Sequence, residues 1–248
     1  MEKHTWNNVL EIKNLNLYIR KKILLKNIDL SIDNNKIIGI IGYSKSGKSL
    51  LLKCISKFVS LIDGCKIEGT IEINGKNIYN DFYPSSCYII EKPYVFPCSI
   101  SKNIVYSLKI INRKDNKYVS IQIERYLKEV DLCDEVKNKL DMDAENLNFF
   151  QKQKLCLARG LATRPSLILA DNPTLFFDYD STMRFEELLL KLKKNYTIIL
   201  VPKNINQARR ICDEVIFIDN GTIIEKGPTT KLLEDPETEQ LRKYIYIN

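Results

Sequence analysis

No stretch of this 248-residue chain approaches the roughly 18 consecutive apolar residues of a membrane-spanning helix, so it is not expected to cross a bilayer by itself. The start, Met1-Glu2-Lys3-His4-Thr5-Trp6-Asn7-Asn8, lacks the apolar segment of a secretory signal, and export is not expected. Seven cysteines are an odd number and contain no C-x-x-C pair, which argues against a disulfide framework and against a zinc site. A reducing cytoplasm is the expected setting. No long basic block accompanies the net charge of +7, and without one the excess of 38 Lys and Arg over 31 Asp and Glu does not point to nucleic acid. Internal repeats and low-complexity linkers are missing too.

What is there is an ordinary globular composition, 44% apolar and 28% charged, in a chain long enough for a sizeable core. One large α/β domain and a core with an inserted subdomain both fit this length. Val9 to Ile19 and Lys26 to Ile32 alternate as strands, and Asp33-Asn34-Asn35 turns into a short apolar run, Lys36 to Ile41. Ile67 to Ile78 reads as strand, Asn74-Gly75 turn, strand, and Cys87 to Ile90 as another short strand. From Ser99 to about Leu161 the spacing becomes helical, with Ile121, Tyr126, Leu127, Val130 and Leu132 on one pattern. Strands return at Leu167–Asp171, Tyr196–Val201 and Glu214–Ile218, with helical patterns at 181–194 and 204–212 between them. Apolar strands alternating with helices predict a parallel sheet covered on both faces. Asp219-Asn220-Gly221 then predicts a hairpin, followed by a helical tail carrying Leu232, Leu233, Leu241 and Tyr244.

The chemistry is concentrated in Gly42-Tyr43-Ser44-Lys45-Ser46-Gly47-Lys48-Ser49, a G-x-x-x-x-G-K-S spacing between the Lys36–Ile41 strand and a helix begun by Leu50, Leu51, Leu52 and Ile55. Glycines let backbone N–H groups face a phosphate, and the helix N-terminus adds positive potential. Lys48 reaches the outer phosphates, and Ser49 is placed to hold Mg²⁺. Such a site needs a strand-end acid that handles the metal through water, and Asp171 closes Leu167-Ile168-Leu169-Ala170-Asp171. Elsewhere an Asp at that place would simply cap a turn.

The order of these features resembles the ATP-binding subunits of ABC transporters over nearly the whole chain. Within that family the chain is most similar to the bacterial phosphate-import ATPases, through Glu68-Gly69, the segment Glu91-Lys92-Pro93-Tyr94-Val95-Phe96-Pro97-Cys98-Ser99-Ile100-Ser101-Lys102-Asn103-Ile104, and the helix Leu155-Cys156-Leu157-Ala158-Arg159-Gly160-Leu161-Ala162-Thr163-Arg164-Pro165. The resemblance implies an α/β P-loop NTPase with a RecA-like core and an antiparallel β subdomain at 1–90 and 162–248, and a helical subdomain at 91–161. It implies ATP and Mg²⁺ as cofactors and membrane permease subunits of an importer as partners, and so a peripheral place on the inner face of the cell membrane. It also implies a homo- or heterodimer sandwiching two ATP molecules.

Four positions depart from the family pattern. Glu91 stands where a glutamine coordinates Mg²⁺ and senses the γ-phosphate; an anion repels phosphate yet can still meet a metal. Leu147-Asn148-Phe149-Phe150-Gln151 replaces L-S-G-G-Q, and two phenylalanines cannot admit the close backbone approach that glycines allow. They present either an apolar patch or packing within the helical subdomain. Asn172 follows Asp171 where the family has its general-base glutamate, and losing a positioned base costs about 10²–10⁴-fold. Lys203, after Val201-Pro202, stands where a switch histidine belongs, and the only histidine in the chain is His4. Lys203 is either a point charge for a γ-phosphate or solvated. Asp178 matches the family's D-loop aspartate, Tyr18 is the candidate adenine-stacking aromatic with strand packing as its alternative, and Arg159 is expected to make structural contacts. The expectation is therefore nucleotide binding with weak or absent hydrolysis, in an importer subunit or in a nucleotide-responsive regulatory subunit. A small-molecule kinase would need an arginine-bearing lid that the sequence does not offer.

Overall fold

The computed structural model describes residues 8–80, 85–110 and 116–247; His4 and the rest of the Met1–Asn7 start lie outside them. The chain opens with β1 (Asn8–Ile19) and β2 (Lys22–Asp33), continues through β3 (Ile37–Ile41), α1 (Lys48–Ile55), β4 (Cys65–Ile73), β5 (Lys76–Asn77) and β6 (Ser86–Ile90), and then runs through four helices: α2 (Ile100–Ile110), α3 (Asn116–Glu129), α4 (Cys133–Val136) and α5 (Phe149–Leu161). It closes with β7 (Leu167–Asp171), α6 (Tyr179–Leu192), β8 (Thr197–Val201), α7 (Ile205–Ile211), β9 (Glu214–Asp219), β10 (Thr222–Pro228), α8 (Thr229–Glu234) and α9 (Glu239–Ile247).

These strands form two sheets. β2-β1-β4-β5 is antiparallel throughout, and β10-β9-β3-β8-β7-β6 is parallel except for β10. Successive side chains of a strand point to opposite faces, so each fully covered strand feeds two cores. In β3, Ile37 and Ile41 join the core beneath the helices, whereas Ile38 and Ile40 join the core shared with α1 and the antiparallel sheet. β7 divides in the same way, Ile168 and Ala170 against Leu167 and Leu169. The five-residue run Ile-Ile-Gly-Ile-Ile is buried at every position, which is why it lacks the alternation of a half-exposed strand.

Both Asn-Gly turns form as expected: Asn74 and Gly75 have φ +50° and +68°, Asn220 and Gly221 +48° and +79°, and the hairpin geometry needs two consecutive positive φ values. After Asn74-Gly75 the strand spans only Lys76–Asn77, although Ile78 still donates its N–H to the Ile71 carbonyl in the same register and buries its side chain in the core. The tail is two helices rather than one, since Pro236 cannot continue α8.

Candidate functional site

In the parallel sheet the carboxyl ends of β3, β7, β8 and β6 lie at one edge, where open α/β sheets bind ligands. The loop after β3 turns through Gly42, Lys45 and Gly47 at φ +148°, +64° and +115°. A Cβ at Gly42 would collide with the Ile218 carbonyl, and one at Gly47 would sit 2.8 Å from Leu25 Cδ2, so only glycine lets the loop lie this close to β9 and β2. Gly47 caps α1 through its backbone alone, with no side chain on the first-turn N–H groups and no acidic residue in that turn. Those free donors and the helix dipole make the turn a receptor for anions.

Lys48 lies across this hollow, its Nζ donating to the carbonyls of Gly42 (2.7 Å) and Tyr43 (2.6 Å). Burial holds its proton affinity below that of a free lysine, and the charge of Asp171 works against that shift. Ser49 Oγ donates to Asp171 Oδ1 at 2.9 Å, across 122 residues of sequence. The other oxygen of Asp171 accepts from the Tyr88 hydroxyl at 3.0 Å, and burial followed by the neighbouring carboxylate pushes the Tyr88 phenol upward. Ser46 Oγ is buried within the loop without a partner, a donor of the kind a phosphate oxygen satisfies. No cluster of three His, Cys, Asp or Glu side chains that could hold a metal occurs among the described residues. The donor set is instead that of Mg²⁺, which keeps several waters and takes one or two protein oxygens together with phosphate. Ser49 and Asp171 fit that role.

Glu91 is exposed and comes immediately after Ile90, whose register partner is Asp171, so it stands at the mouth of this edge. Asn172 takes φ +47°, a left-handed conformation that asparagine tolerates; its N–H donates to the Val201 carbonyl at 3.0 Å and its own carbonyl accepts from Leu175. The Lys203 side chain is not simply solvated: Nζ reaches the Phe177 carbonyl at 3.2 Å, and the backbone N–H donates to Gln207 Oε1 at 2.8 Å. Tyr18 spends its hydroxyl on Glu68 at 3.3 Å and carries Lys66 over its ring, so both partners belong to β4.

The motif at 147–151 is rebuilt as a helix cap. Asn148 accepts from the Gln151 N–H at 2.9 Å, and Gln151 Oε1 accepts from the Asn148 N–H at 3.2 Å, a reciprocal capping box for α5. The two phenylalanines divide between the readings left open by sequence. Phe150 turns inward on Phe177 (5.2 Å between ring centres) and Phe185, whereas Phe149 stays 37% exposed against Phe176, itself 53% exposed. A cavity of about 430 Å³ opens there, walled by Phe149, Phe150, Phe176 and Phe177 with Asp178 and Arg184. Asp178 caps α6 by accepting from the Ser181 N–H at 2.7 Å, and the Ser181 hydroxyl, then this N–H, hold its carboxyl below the usual range. Arg159 is structural as expected, bonded to the Tyr94 carbonyl and Asn103 and stacked 4.3 Å from the Phe96 ring.

Several supporting residues had no signal in the sequence. Tyr88 is one. Gln153, buried on α5, donates to the carbonyls of Ile90 (2.8 Å) and Pro173 (3.1 Å), tying the ends of β6 and β7 together. Gln207 bonds Lys203, Thr174 and Glu186, and only its place three residues after the cap Asn204 hints at this. Tyr244 of α9 is buried against Tyr43 (5.1 Å, edge-on) and Phe217 (5.2 Å). The last helix is thereby packed on the second residue of the loop.

A glycine loop between a buried strand and a helix N-terminus, with its lysine and a serine paired to a strand-end aspartate, defines a P-loop nucleotide-binding protein. The comparisons narrow the class. The ABC transporter family profile matches residues 25–175, and the chain belongs to that family. It is 40% identical over 243 residues to the phosphate import ATP-binding protein PstB of Borreliella afzelii, covering 96% of this chain and 94% of that one. It is 37% identical over 242 residues to PstB of Idiomarina loihiensis, covering 95% and 89%. In fold it is similar to cbiO1 from Clostridium perfringens, part of the ABC transporter complex cbiONQ, with a TM-score of 0.77 at 20% identity over 98% of this chain and 96% of that one.

Proposed function

We propose that this chain is the ATP-binding subunit of a phosphate-type ABC importer, in which it binds Mg·ATP and hydrolyses it weakly or not at all. The name shared by its PstB relatives supports the solute class. The observation that carries the reading is the contrast within one sheet edge: Gly42–Ser49 and Asp171 are assembled for a nucleotide, while Asn172 supplies an amide where a base would be needed. In this reading the loop N–H groups and Lys48 hold the phosphates, Ser49 and Asp171 hold Mg²⁺ with Glu91 at the rim, Tyr18 borders the base, and Lys203 takes the place of a switch group. When bound, Mg²⁺ neutralises phosphate charge and orients the β- and γ-oxygens.

Residues 91–161, which hold α2 to α5, form a helical subdomain, and the remainder a RecA-like core with its antiparallel β subdomain. No helix among the described residues is long and apolar enough to cross a membrane. In this reading the chain works with separate permease subunits, on the inner face of the cell membrane, as one half of a homo- or heterodimer. Phe149 and Asn172 favour a second reading, a nucleotide-responsive regulatory subunit that drives no transport. Nucleotide binding and phosphate release, measured on the chain alone and with its permease partner, separate the two. Binding lost in Lys48→Ala with slow turnover that rises on the permease fits the importer subunit, and binding without turnover in both states selects the regulatory one. Lys48-dependent turnover at the ordinary pace of the family overturns the claim of impaired hydrolysis.

A further inference from the structure

Asp171 is the carboxylate paired with Ser49 at the place a cation would occupy, and it is useful there only if its oxygens are held in place. Ser49 fixes Oδ1 from the loop side. The opposite oxygen is fixed by a residue from a different strand: Tyr88 of β6 pairs in register with Leu169, two residues before Asp171 on β7, and its hydroxyl donates to Oδ2 at 3.0 Å. The Tyr88 ring packs on the core shared with α1 and the antiparallel sheet and lies 5.5 Å from the Phe58 ring, and it borders an apolar cavity of about 610 Å³ with Ile62, Tyr94 and Phe96.

We propose that Tyr88 is a positioning residue for the metal-handling carboxylate: a ring anchored in the cavity wall holds a hydroxyl that locks Asp171 with its Oδ1 side turned to Ser49 and the cation. This rests on the reading of Gly42–Ser49 and Asp171 as a Mg·nucleotide site. Groups that orient a metal ligand without touching the metal typically alter metal affinity by about 10–100-fold when removed. Tyr88→Phe deletes only the hydroxyl and keeps the ring in the wall; Tyr88→Met fills the same wall without a ring.

The experiment is a titration of a fluorescent ATP analogue onto the full chain, first in EDTA and then across a Mg²⁺ series. Tyr88→Phe and Tyr88→Met are both expected to bind the metal-free analogue within about twofold of the parent and to need about tenfold more Mg²⁺ for half-maximal enhancement. Phe58→Leu, which loosens the ring's packing but keeps the hydroxyl, is expected to raise the Mg²⁺ requirement by less than Tyr88→Phe does. An unchanged Mg²⁺ midpoint in Tyr88→Phe overturns the proposal while the nucleotide site stands. So does an equal loss of affinity with and without Mg²⁺, which marks a merely structural role. A parent chain that binds no analogue, or binds it without any Mg²⁺ enhancement, overturns this proposal and the reading beneath it together.

Discussion

Replacing Arg210 with methionine tests the network behind the site. Glu186 is only 2% exposed, and Arg210 holds both of its oxygens, Nε to Oε2 at 2.8 Å and Nη2 to Oε1 at 2.7 Å; Gln207 Nε2 adds a third bond at 3.0 Å. Methionine keeps much of the aliphatic stem but leaves a buried carboxylate with one amide donor. Breaking a buried pair in this way costs about 3–5 kcal/mol, and because Arg210 is 39% exposed, water enters its place and the lower end, about 3 kcal/mol, applies. Chemical denaturation at 25 °C followed by circular dichroism reads this directly. The matching fall in Tm is about 6–12 °C for a chain of this size.

Adding Glu186→Gln removes the charge and is expected to restore most of the loss. A deficit under about 1 kcal/mol, or a double variant no better than the single one, refutes the reasoning.

Asn172→Glu restores a carboxylate where the amide stands and is expected to raise phosphate release at least about 10²-fold, while the left-handed backbone costs about 1 kcal/mol of stability because glutamate tolerates it less well. Unchanged release would mean that the missing base is not what limits turnover. Burial pushes the Cys54 and Cys87 thiols up to about 12, leaving on the order of 10⁻⁴ of each as thiolate at pH 8. A disulfide reagent should therefore modify the half-exposed Cys65 and Cys98 in the native protein and spare Cys54 and Cys87 until urea unfolds it, and early labelling of either would contradict the packing around α1 and β6.

Local chemistry made much of this protein legible before any coordinates. The G-x-x-x-x-G-K-S spacing, the two Asn-Gly turns and the apolar run ending in Asp171 each carry their structural reason within a few residues, and each lies where that reason puts it. The family's motif order extended the reading to the two-sheet fold. What stayed hidden depends on contacts between distant residues. Tyr88 meets Asp171 across 83 positions and Gln153 meets Ile90 across 63, and nothing near either residue announces its partner. Phe149 and Phe150 are adjacent and chemically identical, and only the helix phase set by the Asn148–Gln151 cap sends one inward and leaves the other at the surface. Lys203 was ambiguous for a related reason, since its nearest acceptor, the Phe177 carbonyl, belongs to a segment 26 residues earlier.

Because Tyr244 packs on Tyr43, the loop is braced late in synthesis: the aromatic clasp that steadies it is made about two hundred residues after the loop itself. Domains fold largely as units as they emerge. A nascent chain halted before α9 would thus display the whole loop sequence with one side of the loop unbraced, so the nucleotide site is finished by a helix made about two hundred residues after it.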